Sequence, residues 1–500
     1  PGVLFYLSLS STIFTEYRPR FIGLFPYPGK SHQIVFDTIM TTLAERGHQV
    51  TVATFFPLQK LPDYYTEISM QGVAKLKVET IIDQYFQLKY LSQITLKLCK
   101  KVIQHPPLIK VLKKDYDLVI VETFNSDCML GLLDVFNIKT PVVSLSSCAL
   151  LPNVARRMGS VDNPAYVPTV TTSFTHRMSF IQRLYNSIIY FIIDQLLDEV
   201  HKEEQSIIEK NFGKKITDIQ VLARNISLIL VNTYHVWNGV LPLVPGIVEV
   251  GGIHIQPTNR TIPNHIEKFI NESEDGVILF SLGSVINSTS LSRKTENMLI
   301  KVFSKLKQRV IWKHSNSSEL IGRNILRSKW LPQIELLQHP KVLALVCHGG
   351  LLGIMEAIAF GKPVAVIPVF GDHRLNGAAL EAMGLGEILP IYNLQEENVE
   401  KALHNLMRER FRRVSAMWHD RESLPLDTAI YWIERVIRWG NQSPLYSQAK
   451  HLSFYQCTLL DVAAFILIFL VSLLCAVFYI IKYLLTLLKS KSKVRKEKKY

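Results

Sequence analysis

The fold is decided by the stretch WLPQIELLQHPKVLALVCHGGLLGIMEAIAFGKPVAVIPVFGDHRLN, residues 330–376. Short apolar runs predict strands at 342–347 and 364–368. Between them, the turn at 348–350 leads into residues 351–360, which are apolar at helical spacing. Paired glycines let the backbone approach a pyrophosphate closely, and a helix that begins there offers unpaired N–H groups and the positive end of its dipole. The stretch therefore predicts half of a nucleotide-binding α/β fold.

The same stretch resembles the donor-binding signature of the UDP-glycosyltransferase family. That signature has a Trp and a Gln before the strand, a His-x-Gly turn, an acid in the helix, and Gly, Pro, Asp and Asn positions after it. The matching residues are Trp330, Gln333, His348, Gly350, Glu356, Gly361, Pro363, Pro368, Asp372 and Asn376. So many matches make the resemblance specific, whereas a Gly-Gly turn alone is typical of any tight connection.

The resemblance implies how these residues bind the nucleotide of a UDP-sugar. Trp330 would stack on uracil, and Gln333 would bind the uracil edge. His348 and Ser284 would donate hydrogen bonds to the pyrophosphate, which Gly350 lets approach the backbone. These donors would stabilise UDP as negative charge develops on the leaving group.

The sequence departs from the signature at the sugar end of the predicted site. Glu356 would hold the ribose and Asp372 the sugar hydroxyls, but His373 stands where the family usually has a Gln that also binds the sugar. Gly353 stands where many members have a Ser that touches phosphate. Loss of one hydroxyl contact costs ~1 kcal/mol. The exchange of Gln for His changes the donors and acceptors that meet the sugar.

The first half of the chain predicts a second unit of the same kind. Strand, helix and strand patterns follow one another at 21–25, 34–46 and 49–54. Such alternation predicts a parallel sheet covered by helices. Pro- and Gly-rich residues 242–252 indicate a change of domain. The predicted fold class is α/β, and the resemblance implies two facing Rossmann-like domains of the GT-B type with a C-terminal single transmembrane helix.

Both ends of the chain carry targeting patterns. Residues 3–14 are apolar and resemble the core of a signal peptide. Residues 462–481 form a run of 20 residues without a charge, long enough for one transmembrane helix. Eight Lys or Arg residues and one Glu follow, which predicts a cytoplasmic tail with the domains across the membrane. Because the last lysines are spaced as in a retrieval signal, we expect a single-pass type I protein of the endoplasmic reticulum membrane, with lumenal domains.

The chain is thus divided into six predicted segments. They are a signal-peptide remnant at 1–16, an N-terminal acceptor-binding domain at 17–240, a C-terminal UDP-sugar-binding domain at 241–410, helices at 411–458 that pack back toward the first domain and the membrane, a transmembrane helix at 459–482 and a basic cytoplasmic tail at 483–500. Only the two α/β domains would carry the chemistry.

Sugar transfer to a hydroxyl needs a base, and His32 is the candidate. It follows the first predicted strand, where open α/β sheets bind ligands, and the resemblance implies that it is the general base. A buried acid would hold the useful tautomer of this base. In the family the acid is an Asp at the end of a strand, and here Glu122 stands at that place. Asp127 is the alternative, although Asp is also favoured as a helix N-cap.

Composition limits the partners. The basic tail contributes much of the net charge of +14, so no nucleic-acid partner is needed to explain it. The six cysteines show no C-x-x-C spacing, so no metal site is predicted. No cofactor is expected, because a UDP-sugar is a co-substrate. A homo-oligomer is left open.

We therefore predict inverting, metal-independent transfer of a hexosyl group from a UDP-sugar, UDP-glucose being favoured, to a small lipophilic alcohol or phenol. The alternative is a membrane-anchored homologue that binds UDP-sugars and lipophiles with little or no catalysis, motivated by Glu122, Gly353 and His373. An NAD-dependent dehydrogenase is disfavoured, because no G-x-G-x-x-G sequence follows the first strand.

Overall fold

The computed structural model describes residues 18–74, 84–124, 126–161, 163–257, 260–283, 291–314, 319–391, 394–406, 412–440 and 445–497. The chain divides after Ser447 into two compact units. The first unit holds both α/β domains, and the second holds the C-terminal helix. The predicted signal remnant at 1–16 lies outside the described residues.

The first domain is built on a parallel sheet. Its strands are β1 Arg20–Leu24, β2 Gln49–Thr54, β3 Tyr65–Ser69, β4 Leu118–Glu122, β5 Val142–Ser146, β6 Leu228–Val231 and β7 Ile247–Glu249. They lie in the order β3-β2-β1-β4-β5-β6-β7, and the pairs are parallel. Strand β4 is buried along its whole length, which is typical of a strand inside a parallel sheet.

Helices accompany these strands. They are α1 Lys30–Glu45, α2 Gln84–Val102, α3 Pro106–Val111, α4 Cys128–Val135, α5 Phe180–Phe212, α6 Ile219–Arg224 and α7 His235–Asn238. The long helix α5 begins at a capping box formed by Ser179 and Gln182, and it ends at Gly213, whose φ of 62° favours glycine. A disulfide between Cys99 and Cys128 joins α2 to α4.

The second domain follows the same plan. Its strands are β8 Val277–Ser281, β9 Arg309–Lys313, β10 Leu320–Ile321, β11 Ile325–Ser328, β12 Val342–Cys347, β13 Val364–Val366 and β14 Gly386–Ile388. They lie in the order β10-β11-β9-β8-β12-β13-β14, and the described pairs are parallel apart from β10–β11. The helices are α8 Asn264–Asn271, α9 Arg293–Ser304, α10 Gln333–Gln338, α11 Leu351–Ala359, α12 His373–Ala382, α13 Glu396–Leu406 and α14 Arg412–His419.

Helix α15, Pro425–Trp439, returns to the first domain. Ile430, Ile433 and Val436 are buried in the hydrophobic cluster that also holds the residues of β1 and β4. Glu434 on the same helix accepts from Arg46 Nη1 at 3.2 Å. The end of the first unit is therefore part of the first domain's core.

The second unit contains α16, Phe454–Cys457, and the long helix α17, Leu460–Glu497. Within α17, the 30 residues Leu460–Lys489 are a candidate membrane span by length and composition. The predicted span at 459–482 coincides with the first part of this segment, and the helix continues into the predicted tail.

Two predicted boundaries differ from the structure. Helix α1 begins at Lys30 rather than at 34, so His32 lies in its first turn and not in a loop. The polar residues before 34 gave no apolar periodicity from which this turn could be predicted. Strand β7 belongs to the first sheet, so that sheet extends past the boundary predicted at 240. The Pro- and Gly-rich residues there lead into an edge strand instead of leaving the domain.

Candidate active site

A cleft of about 1590 Å³ is lined by both domains. Its walls are formed by residues at or just after the carboxyl ends of strands in each sheet. From the first sheet they include Tyr27 and 29–33 after β1, Phe124 after β4 and 147–149 after β5. From the second sheet they include Ser281, Lys313, His348 and 370–373 at or after the ends of β8, β9, β12 and β13. Ligands of parallel α/β sheets bind at this edge. Both sheets therefore present their ligand-binding edge to one cavity.

His32 and Glu122 meet on the first-domain wall of this cleft. His32 Nδ1 lies 2.5 Å from Glu122 Oε1. Glu122 is the last residue of β4 and is fully buried, and β4 pairs with β1, the strand that precedes His32. When Glu122 is ionised, its carboxylate can only accept, so the proton of this bond is on Nδ1 and the lone pair of Nε2 is available. The structure thus brings together the two residues of the first predicted alternative.

Asp127, the second predicted alternative, is hydrogen-bonded to other residues and, among the described contacts, not to His32. Its carboxylate accepts from Arg157 Nη1 at 2.9 Å and pairs with His201 Nε2 at 2.9 Å. Burial raises the pKa of Asp127, but Arg157 and His201 outweigh it and hold the pKa below its usual range. Asp127 also stands at the N-cap position of α4 without a capping hydrogen bond from its side chain.

Ser147 contacts the His32–Glu122 pair, and the sequence offered no specific signal for it. It follows β5, is 2% exposed, and its Oγ lies 2.6 Å from His32 Nδ1. The Ser147 hydroxyl also donates to Glu122 Oε1 at 3.4 Å. Its position after a strand of a parallel sheet could have suggested it, but serines are common there.

The first-domain side of the cleft includes a large set of apolar and aromatic residues. Tyr27 and Phe124 flank His32, with ring centroids 4.7 Å and 5.1 Å from the imidazole. Apolar residues that line the cleft farther from His32 are Phe56, Leu58, Leu91, Ile94, Leu151, Val170, Ile193, Leu196, Leu197 and Val200. Polar residues also line this side, among them Asp37, which accepts from Gln33 Nε2 at 2.6 Å and whose pKa burial raises to about 6.

On the opposite wall, the glycine turn makes room for His348. A Cβ at Gly350 would lie 2.4 Å from His348 Nε2, and one at Gly283 would lie 2.5 Å from its Cε1. Gly349 has a φ of 93°, and its carbonyl accepts from Asn376 Nδ2 at 2.9 Å. Burial and the nearby Lys313 lower the pKa of His348 to about 4, so its imidazole is neutral. The glycine turn thus keeps open the space in front of the N-terminus of α11, whose first N–H groups have no partner within the helix.

The predicted uracil and ribose residues lie close together. Trp330 lines the cleft with its side chain 54% exposed. Gln333 Nε2 donates to Glu356 Oε2 at 2.6 Å, and His254 Nε2 lies 3.2 Å from Glu356 Oε1. A Cβ at Gly353 would lie 3.2 Å from Gln333 Nε2, so a larger residue would press on this amide. An indole exposed in the cleft offers aromatic surface on which a planar base can stack.

Asp372 and His373 lie at the start of α12, and both line the cleft. Burial raises the pKa of Asp372, whereas the electrostatic interaction with His32 opposes this rise. His373 Nδ1 accepts from the N–H groups of Val369 at 3.4 Å and Phe370 at 3.3 Å. Burial and the adjacent His348 lower the pKa of His373, so the ring is neutral with its proton on Nε2. It therefore has one donor for a ligand, where a Gln has a donor and an acceptor.

Lys313 was not predicted from the sequence, and Ser284 lies outside the described residues. Lys313 ends β9 on the second-domain wall, and burial together with Lys30 of the first domain lowers its pKa. Within the described ranges, the cluster of ligand types that could suit a metal is Cys99, Cys128 and Glu204. The two sulfurs of that cluster are bonded to each other, so they do not offer thiolates.

Two parallel-sheet α/β domains that share one cleft, with a nucleotide-sugar signature on one wall, define the GT-B class of glycosyltransferases. Residues 30–499 match the family model described as UDP-glucoronosyl and UDP-glucosyl transferase, and the chain belongs to this family.

Known proteins agree with this assignment along nearly the whole chain. UDP-glycosyltransferase UGT5 of Dactylopius coccus is 36% identical over 501 residues, which cover 96% of this chain and 94% of the relative. UDP-glucosyltransferase 2 of the same organism is 34% identical, with 96% and 95% covered. The crystal structure of CalG4, the calicheamicin glycosyltransferase, aligns with a TM-score of 0.57 at 17% identity over 85% of this chain and 99% of that one, which shows a shared fold.

Proposed function

We propose that this UDP-glycosyltransferase catalyses inverting, metal-independent transfer of a hexosyl group from a UDP-sugar to a hydroxyl of a small lipophilic acceptor. The observation that carries the proposal is the contact of 2.5 Å between His32 Nδ1 and Glu122 Oε1 on the wall of the cleft that also holds Trp330, His348 and Glu356. One cavity thus combines a base with the residues of a nucleotide-sugar signature.

In the proposed reaction, His32 Nε2 takes the proton of the acceptor hydroxyl. The acceptor oxygen forms a bond to the anomeric carbon while the bond from that carbon to the UDP oxygen breaks, and UDP leaves with the electron pair. A single displacement inverts the anomeric configuration. Glu122 stabilises the imidazolium that forms on His32.

The second domain would bind the donor and stabilise the departing UDP. Trp330 would stack on uracil, Gln333 and Glu356 would bind uracil and ribose, and His348 would donate to the pyrophosphate. The N-terminus of α11 and the Lys313 ammonium favour the developing negative charge without requiring a metal. Addition of a chelator should leave the transfer rate unchanged.

Asp372 and His373 would contact the sugar. UDP-glucose is our preferred donor, which the name of the relative UDP-glucosyltransferase 2 supports. The apolar lining around Tyr27 and Phe124 favours an alcohol or a phenol of low polarity as acceptor.

We place the catalytic domains in the lumen of the endoplasmic reticulum, with α17 as a type I membrane anchor. The exposed apolar side chains of α17 support an anchor. The disulfide between Cys99 and Cys128 supports the lumen, because disulfides form and persist in oxidising compartments.

The test compares His32→Ala with His265→Ala, a substitution of an exposed histidine in α8 outside the cleft lining. We expect His32→Ala to abolish transfer while its affinity for UDP stays within a few-fold of the unchanged protein, and His265→Ala to retain both. Full turnover in His32→Ala would remove the proposed base. If the unchanged protein binds UDP-sugars but transfers to no member of a broad panel of phenols and flavonoids, the non-catalytic alternative is correct.

A further inference from the structure

Ser147 contacts both members of the His32–Glu122 pair. Its Oγ lies 2.6 Å from His32 Nδ1 and 3.4 Å from Glu122 Oε1. It is 2% exposed, and it reaches the pair from β5, the strand that neighbours β4 in the sheet. Three side chains from three segments therefore share one hydrogen-bonded cluster, in which Glu122 and Ser147 are buried.

The base works only in one arrangement of the protons in this cluster. When Glu122 is a carboxylate, His32 donates from Nδ1 and its Nε2 lone pair can accept the acceptor's proton. When Glu122 is a carboxylic acid, its O–H donates to Nδ1, so the proton of the neutral ring must sit on Nε2. That tautomer has no lone pair for the substrate.

The surroundings of Glu122 favour the inactive arrangement. Its side chain is fully buried, and its Oε2 has no hydrogen-bond partner in the described part of the chain. Burial raises the pKa of Glu122, while His32 and Ser147 oppose this.

Among the described residues, the other titratable groups around the pair do not supply a positive charge. Two neutral groups are Tyr27, from the loop before α1, and Cys148, after β5. Each stays protonated, because burial and the charge of Glu122 raise its pKa. Asp372, before α12, has a pKa that burial raises. In the part of the chain that the structure describes, the donors that hold Glu122 as a carboxylate are thus His32 itself and Ser147.

We propose that Ser147 is a positioning residue, whose hydroxyl keeps Glu122 ionised and thereby keeps the His32 proton on Nδ1. This inference rests on the proposed role of His32 as base. It gives this chain a three-member cluster in place of a simple base and acid pair.

The proposal predicts a change in pH dependence when the hydroxyl is removed. When the pair holds one proton, Glu122 always carries the charge that Ser147 stabilises. When the pair holds two protons, one of its forms is a neutral imidazole beside a neutral carboxylic acid. Ser147 stabilises this form less, because Glu122 then carries no charge. Removal of the hydroxyl therefore favours the doubly protonated pair, and the acid limb of kcat/KM moves to higher pH.

The experiment measures kcat/KM against pH for Ser147→Ala in the full-length, membrane-bound protein. We expect the acid limb to move up by about one pH unit, the size expected for one hydrogen bond to a charged group. The rate should approach that of the unchanged protein above the limb, and the affinity for UDP should not change. Ser144→Ala is the matched control, because Ser144 is a buried serine of β5 whose Oγ has no partner among the described residues.

Further variants separate the outcomes. Ser147→Thr, which keeps a hydroxyl, should restore the original limb, and Ser147→Cys, with a weak donor, should move it upward even if Ser147→Ala does not fold. In a Glu122→Gln background, Ser147→Ala should add no further shift. An unshifted limb, or an equal loss at every pH, in Ser147→Ala together with an inactive His32→Ala overturns this inference alone. An active His32→Ala overturns the proposed function as well.

Discussion

Replacement of Trp330 by Ala should weaken UDP binding without unfolding the protein. The side chain of Trp330 is 54% exposed on the cleft wall, so its removal leaves no buried cavity. Its backbone is held independently of the ring, because Ser328 Oγ donates to the Trp330 carbonyl at 2.7 Å. The substitution therefore removes an aromatic face and leaves the surrounding segment in place.

The expected magnitude follows from the loss of one base-stacking surface. Stacking of a base on an aromatic side chain contributes about 1–3 kcal/mol. At about 1.4 kcal/mol for each tenfold change, UDP affinity should fall about 5- to 150-fold. Inorganic diphosphate has no base, so its weaker binding should not change.

Isothermal titration calorimetry with UDP on the full-length protein measures this effect. Trp439→Ala is the matched control, because Trp439 is 61% exposed at the end of α15 and does not line the cleft. Unchanged UDP affinity in Trp330→Ala would refute the stacking role. An equal loss in Trp439→Ala would show that the effect is not specific to the cleft.

Three further predictions concern charge, sugar choice and stability. Lys313→Met should weaken UDP binding by about tenfold but leave uridine binding unchanged, because it removes a charge-assisted contact to phosphate; Lys307→Met, at an exposed site outside the cleft lining, should change neither in the same titrations. His373→Gln should alter the ratio of kcat/KM between two UDP-sugars at unchanged UDP affinity, since it adds an acceptor to the sugar end, and a constant ratio across a donor panel would count against this contact. Arg157→Met should destabilise the first domain by about 3–5 kcal/mol, because it leaves the buried Asp127 short of a partner. Because the pKa of Asp127 is lowered, this stabilisation is present above about pH 4, the pKa of an unfolded Asp, and is lost as pH falls through the lowered pKa. If the variant lowers the unfolding temperature equally at pH 7 and in strong acid, the ion pair is contradicted.

The candidate residues on the second-domain wall of the cleft could be predicted because they lie close together in the sequence. Trp330, His348 and Glu356 lie in one short stretch whose strand, turn and helix follow directly from apolar spacing and paired glycines. Strand β12 has the bounds 342–347 that this spacing predicted. Residues close in sequence on such a unit are also close in space.

The first-domain wall could not be predicted fully, because its contacts join distant segments. The choice between Glu122 and Asp127 depended on Arg157 and His201, which lie 30 and 74 residues beyond Asp127. Ser147 belongs to no motif, and it lies next to Glu122 because β5, which it follows, pairs with β4. Neither the pairing of strands nor the partners of a buried acid can be deduced from the spacing of residue types.

The return of α15 affects the order in which the chain can fold as it is synthesised. Gly246 N–H donates to the Leu445 carbonyl at 2.7 Å, and Ser447 N–H donates to the Met158 carbonyl at 2.9 Å, so the tail of the first unit also seals the first domain. A nascent chain that has emerged only as far as Glu249 holds all the strands of the first sheet but lacks Ile430, Ile433 and Val436 to cover its apolar surface. We expect the core of the first domain to stay incomplete, with this surface accessible to chaperones, until nearly all of the first unit has been synthesised.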